Sequence, residues 1–100
     1  MKKQDNYVSE ETAMELLHAN IIGKEQPVPT ITECVVWFAE QNIPIITDYN
    51  CLDNEWRAMA CFDNDPERWV RRYNKSYIEA VNAAIRDAAN EYEKLKQIQQ

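Results

Sequence analysis

The stretch IPIITDYNCLDNEWRAMACF, residues 43–62, decides the fold. Two runs rich in β-branched and aromatic residues flank a polar centre, the pattern of a β-hairpin. With Asp53-Asn54 as a two-residue turn, Leu52 faces Glu55, Cys51 faces Trp56 and Thr47 faces Ala60. One face then collects Ile45, Thr47, Tyr49, Cys51, Trp56, Ala58, Ala60 and Phe62. The other collects Ile46, Asp48, Asn50, Glu55, Arg57, Met59 and Cys61. Both strands place their apolar side together, which supports the register, because a slip of one residue would turn every side chain over.

Helices are expected on either side of the hairpin. Ser9 precedes EETAMELLHAN, and a serine followed by acids suits a helix N-terminus. Ala13, Leu16, Leu17 and Ile21 fall on one face of a helix over residues 10–20, with Gly23 and the prolines Pro27 and Pro29 breaking it. Thr30 and Glu33 have capping-box spacing and open a second helix over 31–42. Its apolar side carries Ile31, Cys34, Val35 and Phe38, widened by Val36 and Trp37. Ser76 and Glu79 repeat the capping spacing and open a long helix over 77–97. Residues 64–75 read equally as helix, loop or a third strand.

The expected architecture is α+β: two N-terminal helices, an antiparallel hairpin with a possible third strand, and a long C-terminal helix on one sheet face. Residues 1–8 read as a flexible lead-in and 9–98 as a single domain, in keeping with a chain of 100 residues.

Composition narrows function. Gly23 is the only glycine, so a glycine-rich phosphate loop cannot form and no cofactor is expected. The three cysteines include no CxxC and there is one histidine, His18, which points to reduced thiols and a cytoplasmic setting. No apolar run approaches the roughly 20 residues that span a bilayer, so no membrane partner is expected. Asp63-Asn64-Asp65 resembles the start of a calcium loop, but Arg68 and Asn74 stand where its glycine and glutamate belong. Asp48, Asp53 and Glu67 read as surface and turn residues, and no metal site is expected. Neither His18 nor a cysteine has a partner at a catalytic spacing, so the chain reads as a non-enzyme.

Two features remain. ERWVRRYNKSY, residues 67–77, interleaves Arg68, Arg71, Arg72 and Lys75 with Trp69, Tyr73 and Tyr77 in a chain of net charge −6. Trp69 and Tyr73 read as plugging the end of the core, with the arginines paired to Asp63, Asp65 and Glu67 or to the acids of a partner protein; arginines among aromatics also suit single-stranded nucleic acid through phosphate pairing and base stacking. The acidic remainder repels phosphate and makes nucleic acid the weaker alternative. The same acidity would also suit a mimic of DNA that inhibits a DNA-binding protein. The second feature is a heptad-like stripe on the last helix, Ile78, Val81, Ile85, Ala88, Tyr92 and Leu95. Its end, Ala88, Tyr92 and Leu95, would suit a second helix and hence a homodimer.

SEETAMELL (9–17), PTITECVVWFAEQN (29–42) and SYIEAVNAAIRDA (76–88) together resemble a recurrent pattern in small uncharacterised proteins of gut Bacteroidales and their phages and mobile elements. Pro29-Thr30, Trp37, Ser76-Tyr77, Ala80 and Ala84-Ile85 carry the resemblance. It implies this fold and a cytosolic setting linked to phages or mobile elements, and no activity. The expected function is a small, non-enzymatic protein-interaction module.

Overall fold

The structure, a computed structural model, describes residues 6–62 and 65–98. In chain order it has α1 (Glu10–His18), α2 (Ile31–Glu40), β1 (Ile45–Asn50), β2 (Glu55–Ala60), a 3-10 turn at Pro66–Arg68, β3 (Val70–Asn74) and α3 (Tyr77–Ile98). The strands form one antiparallel sheet in the order β1-β2-β3. α3 lies across one face, mainly over β2 and β3, and α1 and α2 pack against it. The α+β class with helices on one sheet face is as the sequence led us to expect. The ambiguous segment becomes the 3-10 turn and the third strand, while Asn64 lies outside the described residues.

Each helix start follows its sequence signal. Ser9 Oγ accepts from Thr12 N at 3.2 Å, Thr30 and Glu33 complete a reciprocal capping box, and Ser76 Oγ accepts from Glu79 N at 3.3 Å. The stops differ from expectation. α1 ends at Asn20, whose φ is 61°, and not at Gly23. Asn20 N bonds Leu17 O and Ile21 N bonds Leu16 O, a Schellman closure. α2 ends the same way at Asn42, with φ 65° and Ile43 N on Phe38 O. Asparagine tolerates this left-handed conformation better than other side chains do, so the chain needs no glycine for either stop.

The hairpin corrects the register. Thr47 pairs with Ala58, not Ala60, and Asn50 with Glu55, leaving Cys51–Asn54 as the loop. The Asn50 side chain explains the longer loop: it accepts from Leu52 N at 3.0 Å and donates to Asp53 at 2.8 Å. Asn54, at φ 53°, completes the reversal. The shift is by two residues, so every strand side chain keeps its expected face.

Small residues dominate the core where α3 meets the sheet. Ala58 and Ala60 of β2 and Ala80, Ala84, Ala88 and Ala89 of α3 are all buried, with Val81 and Ile85 between them. The buried face of α3 is thus wider than a heptad seam. Phe38, Leu16 and Ile43 fill the core beside it. Val36, expected to widen the apolar face of α2, is exposed. Of the lead-in, Val8 is buried, Tyr7 bridges Thr30, and residues 1–5 lie outside the described residues.

A polar bridge ties α1 to α3. The buried Asn82 accepts from Ser9 N at 2.8 Å and donates to Ile78 O at 2.8 Å, and Arg86 donates to the buried Thr12 hydroxyl at 3.0 Å. Asn82→Ala would leave the Ser9 N–H without its acceptor, and we expect it to destabilise the fold by about 1–3 kcal/mol in urea titration. Ala84→Leu would overfill the contact between α3 and the sheet, and we expect a loss of about 1–3 kcal/mol by the same measurement.

Candidate functional site

The pleat of β3 divides the basic, aromatic strip. Arg71 and Tyr73 pair with Met59 and Arg57 and share their outer face, away from α3. Arg72 pairs with Ala58 on the inner face. There its guanidinium holds the Asp87 carboxylate of α3 through two hydrogen bonds, 2.7 Å from Nε and 2.8 Å from Nη2. This contact raises the pKa of Arg72 and fixes β3 against the helix. Arg71 folds back instead, donating to the carbonyls of Trp69 at 3.2 Å and Pro66 at 3.1 Å. Arg68 lies in the 3-10 turn, Trp69 is half-buried, and Lys75 is exposed in the turn before α3. The six side chains therefore do not form one surface. The expected pairing partner Asp63 lies outside the described residues, while Asp65 caps the 3-10 turn by accepting from Glu67 N at 3.1 Å.

The end of the last helix is likewise divided. Ala88 is fully buried and Tyr92 is half-buried, its ring 5.1 Å from that of Trp37. Of the stripe only Leu95, 44% exposed, is left to solvent there, with Ile98 beyond it at 77%. Ala88 and Tyr92 thus serve the monomer's own core.

What the structure does assemble is a sheet face beside the hairpin loop that no helix among the described residues covers. Its rows are Ile46, Met59 and Arg71, then Asp48, Arg57 and Tyr73, each row crossing all three strands. Arg57 Nε donates to Asp48 Oδ1 at 3.0 Å, and its Nη2 bonds the other carboxylate oxygen. The hydrogen bond from Arg57 holds the Asp48 carboxyl below its usual range. A shallow concavity runs from this pair to the loop, lined by Asp48, Tyr49, Asn50, Asp53, Arg57 and Tyr73. Beside it Leu52 projects from the loop, 93% exposed. On the other side of the sheet's end, Trp56 packs edge-on between Tyr49 and Tyr77, with ring centres 5.1 and 5.0 Å apart. Sequence reasoning missed this grouping because it depends on β3 lying beside β2.

A second concavity, a cleft of about 320 Å³, opens between α2 and the 21–29 loop, lined by residues that include Leu16, Pro27, Val28, Cys34 and Trp37. Its polar rim is already engaged: Glu33 accepts from Thr30 N and Gln26 from Gly23 N.

Chemically reactive groups are sparse in the described part of the chain. No three His, Cys, Asp or Glu side chains among the described residues gather as a metal site would require. His18 lies exposed at the end of α1. Cys61, placed by the register on the outer face of the hairpin, is buried, as is Met59 two residues before it on the same face. Burial raises its pKa, opposed by Arg71, and burial, aided by Glu33, pushes Cys34 up to about 12. No helix among the described residues is long and apolar enough to cross a membrane.

Comparison of the chain with protein-family models, with curated proteins and with solved structures finds no match. Its function must therefore be argued from its own geometry.

The thiols give a direct check of this geometry. Cys51 is exposed in the hairpin loop, whereas Cys34 and Cys61 are buried. Under native conditions a thiol-specific chromogenic reagent should modify Cys51 rapidly and the other two only after denaturant is added. Fast reaction of Cys61 in the native protein would contradict the buried end of the sheet.

Proposed function

We propose that this protein is a non-enzymatic protein-interaction module whose contact surface is the uncovered sheet face beside the hairpin loop. The observation that carries the reading is the composition of that face. Its accessible members are Ile46, Arg57, Arg71 and Tyr73, and its one carboxylate row member, Asp48, is matched by Arg57. Arginine and tyrosine are enriched at the centres of protein interfaces, where lysine and glutamate are depleted. Tyr73, 54% exposed, is the natural anchor, because rigid aromatics supply large contact area and recur as binding hot spots. Leu52 stands at the edge of the same surface, in a loop already ordered by the Asn50 and Asp53 hydrogen bonds. A preordered contact loses little conformational entropy on binding.

The setting we propose is a bacterial cytosol, with a protein of the host cell or of a phage or mobile element as the partner. Nucleic acid is the weaker reading. Binding a single strand needs a line of available cations beside stacking rings. Here Arg72 is held by Asp87, Arg71 caps carbonyls of its own chain, and Arg57 is matched by Asp48.

The test compares immobilised wild type with Tyr73→Ala and Leu52→Ser in capture from bacterial lysate, after circular dichroism has shown all three to be folded. The expected result is a protein retained by wild type and reduced at least tenfold by Tyr73→Ala, since loss of a hot spot costs about 2 kcal/mol or more. Equal capture by all three proteins would refute the assignment of this face.

A further inference from the structure

β1 and β3 are the two edges of the sheet, and they are finished differently. β3 carries Arg71 and Arg72, is followed by Lys75, and its entry carbonyls at Pro66 and Trp69 receive the Arg71 guanidinium. Charges of this kind are how proteins keep an edge from pairing with another chain. β1 reads IITDYN and has no lysine, arginine, proline or bulge. Its one charge, Asp48, is directed across the strands to Arg57 and not along the edge.

The hydrogen-bond phase of β1 can be read from its entry. Cys61 N donates to Pro44 O at 2.9 Å, continuing the pairing of β1 with β2. Bonded residues alternate in an antiparallel ladder, so Ile46, Asp48 and Asn50 are bonded to β2. Ile45, Thr47 and Tyr49 direct their N–H and C=O groups to the open edge. No other strand among the described residues lies along it.

We infer that this edge joins a second copy of the same chain, two β1 strands pairing antiparallel about a two-fold axis at Thr47 to make one continuous sheet twice as wide. The two-fold runs perpendicular to the sheet, so inner residues meet inner residues. Thr47 exchanges both backbone hydrogen bonds with the partner's Thr47, and Ile45 does so with the partner's Tyr49. Every outward-directed group of the strand is thereby satisfied. Side chains agree with this register: threonine faces threonine and isoleucine faces tyrosine, both favourable cross-strand pairs. On the outer face Ile46 meets the partner's Asp48, so no like charges oppose. Moving the axis to Asp48 would set two aspartates directly opposite each other, which is destabilising, and would leave Ile45 outside the strand-to-strand pairing. α3 lies mainly over β2 and β3, and α2 and α3 touch β1 only lightly. The inference does not rest on the proposed contact face, although Ile46 and Asp48 of that face border the seam.

Sedimentation equilibrium over a concentration series tests it. Wild type is expected to show a monomer–dimer equilibrium. Thr47→Pro removes an N–H that points to the edge and not to β2, so the monomer fold should persist by circular dichroism while dimer formation is lost. A second variant reports the register without relying on proline: Thr47→Cys in a Cys51→Ser background. Residues opposed in a bonded antiparallel pair have Cα atoms about 5.5 Å apart, within the span of a disulfide, so mild oxidation should link it as a dimer. A wild type that stays monomeric at all concentrations, a dimer that survives in Thr47→Pro, failure of Thr47→Cys to cross-link, or species that grow beyond the dimer would each overturn the inference. Growth beyond the dimer would mean head-to-tail pairing of β1 with β3.

Discussion

The fold depends on how closely α3 approaches β2. Ala58 and Ala60 present almost no side chain from the middle strand, and Ala80, Ala84 and Ala88 answer them from the helix. With alanine on both surfaces the backbones come near, and Val81, Ile85 and Phe38 fill the space to either side. Larger residues at this contact would lift the helix and open voids, which close-packed interiors tolerate poorly. The remaining elements are arranged around that approach. Arg72 reaches from β3 to Asp87 on α3, Trp56 lies against Tyr77 at the start of α3, and Trp37 of α2 meets Tyr92 near its other end. Each therefore joins a neighbour to the same helix.

The burial of one sheet face against α3 leaves the other face to solvent, and its chemistry is correspondingly mixed. Its apolar members are separated by the Asp48–Arg57 pair and by Arg71. An exposed ion pair of this kind adds little stability, but with Asp48 matched by Arg57 it leaves Arg71 as the remaining charge of these two rows, in a chain whose net charge is −6.

Much of the fold was legible because local signals and patterning agreed. Ser9, Thr30 and Ser76 mark the helix starts, and the alternation across residues 45–60 assigns the sheet faces. The register was not legible, because a side chain decided it: Asn50 holds Leu52 and Asp53 in a longer loop than the two-residue turn that Asp53-Asn54 suggested. β3 was ambiguous since VRRYN offers only Val70 and Tyr73 as strong strand formers, and its place is fixed by β2 and by the Arg72–Asp87 contact across fifteen positions of sequence. That contact also explains why the basic strip read as a site: neighbours along an extended chain point to opposite faces, so Arg71 and Arg72 never share a surface. Asn82 gave no sign of its role, because a polar residue on a helix reads as solvent-facing until its partner, Ser9 N, is known.

The same helix sets the order in which the molecule can form. α3 is the last element in chain order, yet it supplies the surface on which the sheet and both earlier helices are packed. While the chain is being synthesised, the hairpin and α1 and α2 emerge first, at roughly 5–20 residues per second, with their apolar faces uncovered. A two-stranded hairpin is marginal on its own, and helices as short as α1 and α2 are marginal in isolation. The early chain is thus committed to a waiting period of some seconds with Ile45, Phe38 and Leu16 unshielded. During that interval the inner face of the hairpin, with Ile45, Ala58 and Ala60, is open to wrong contacts, and the arrival of α3 is what covers it.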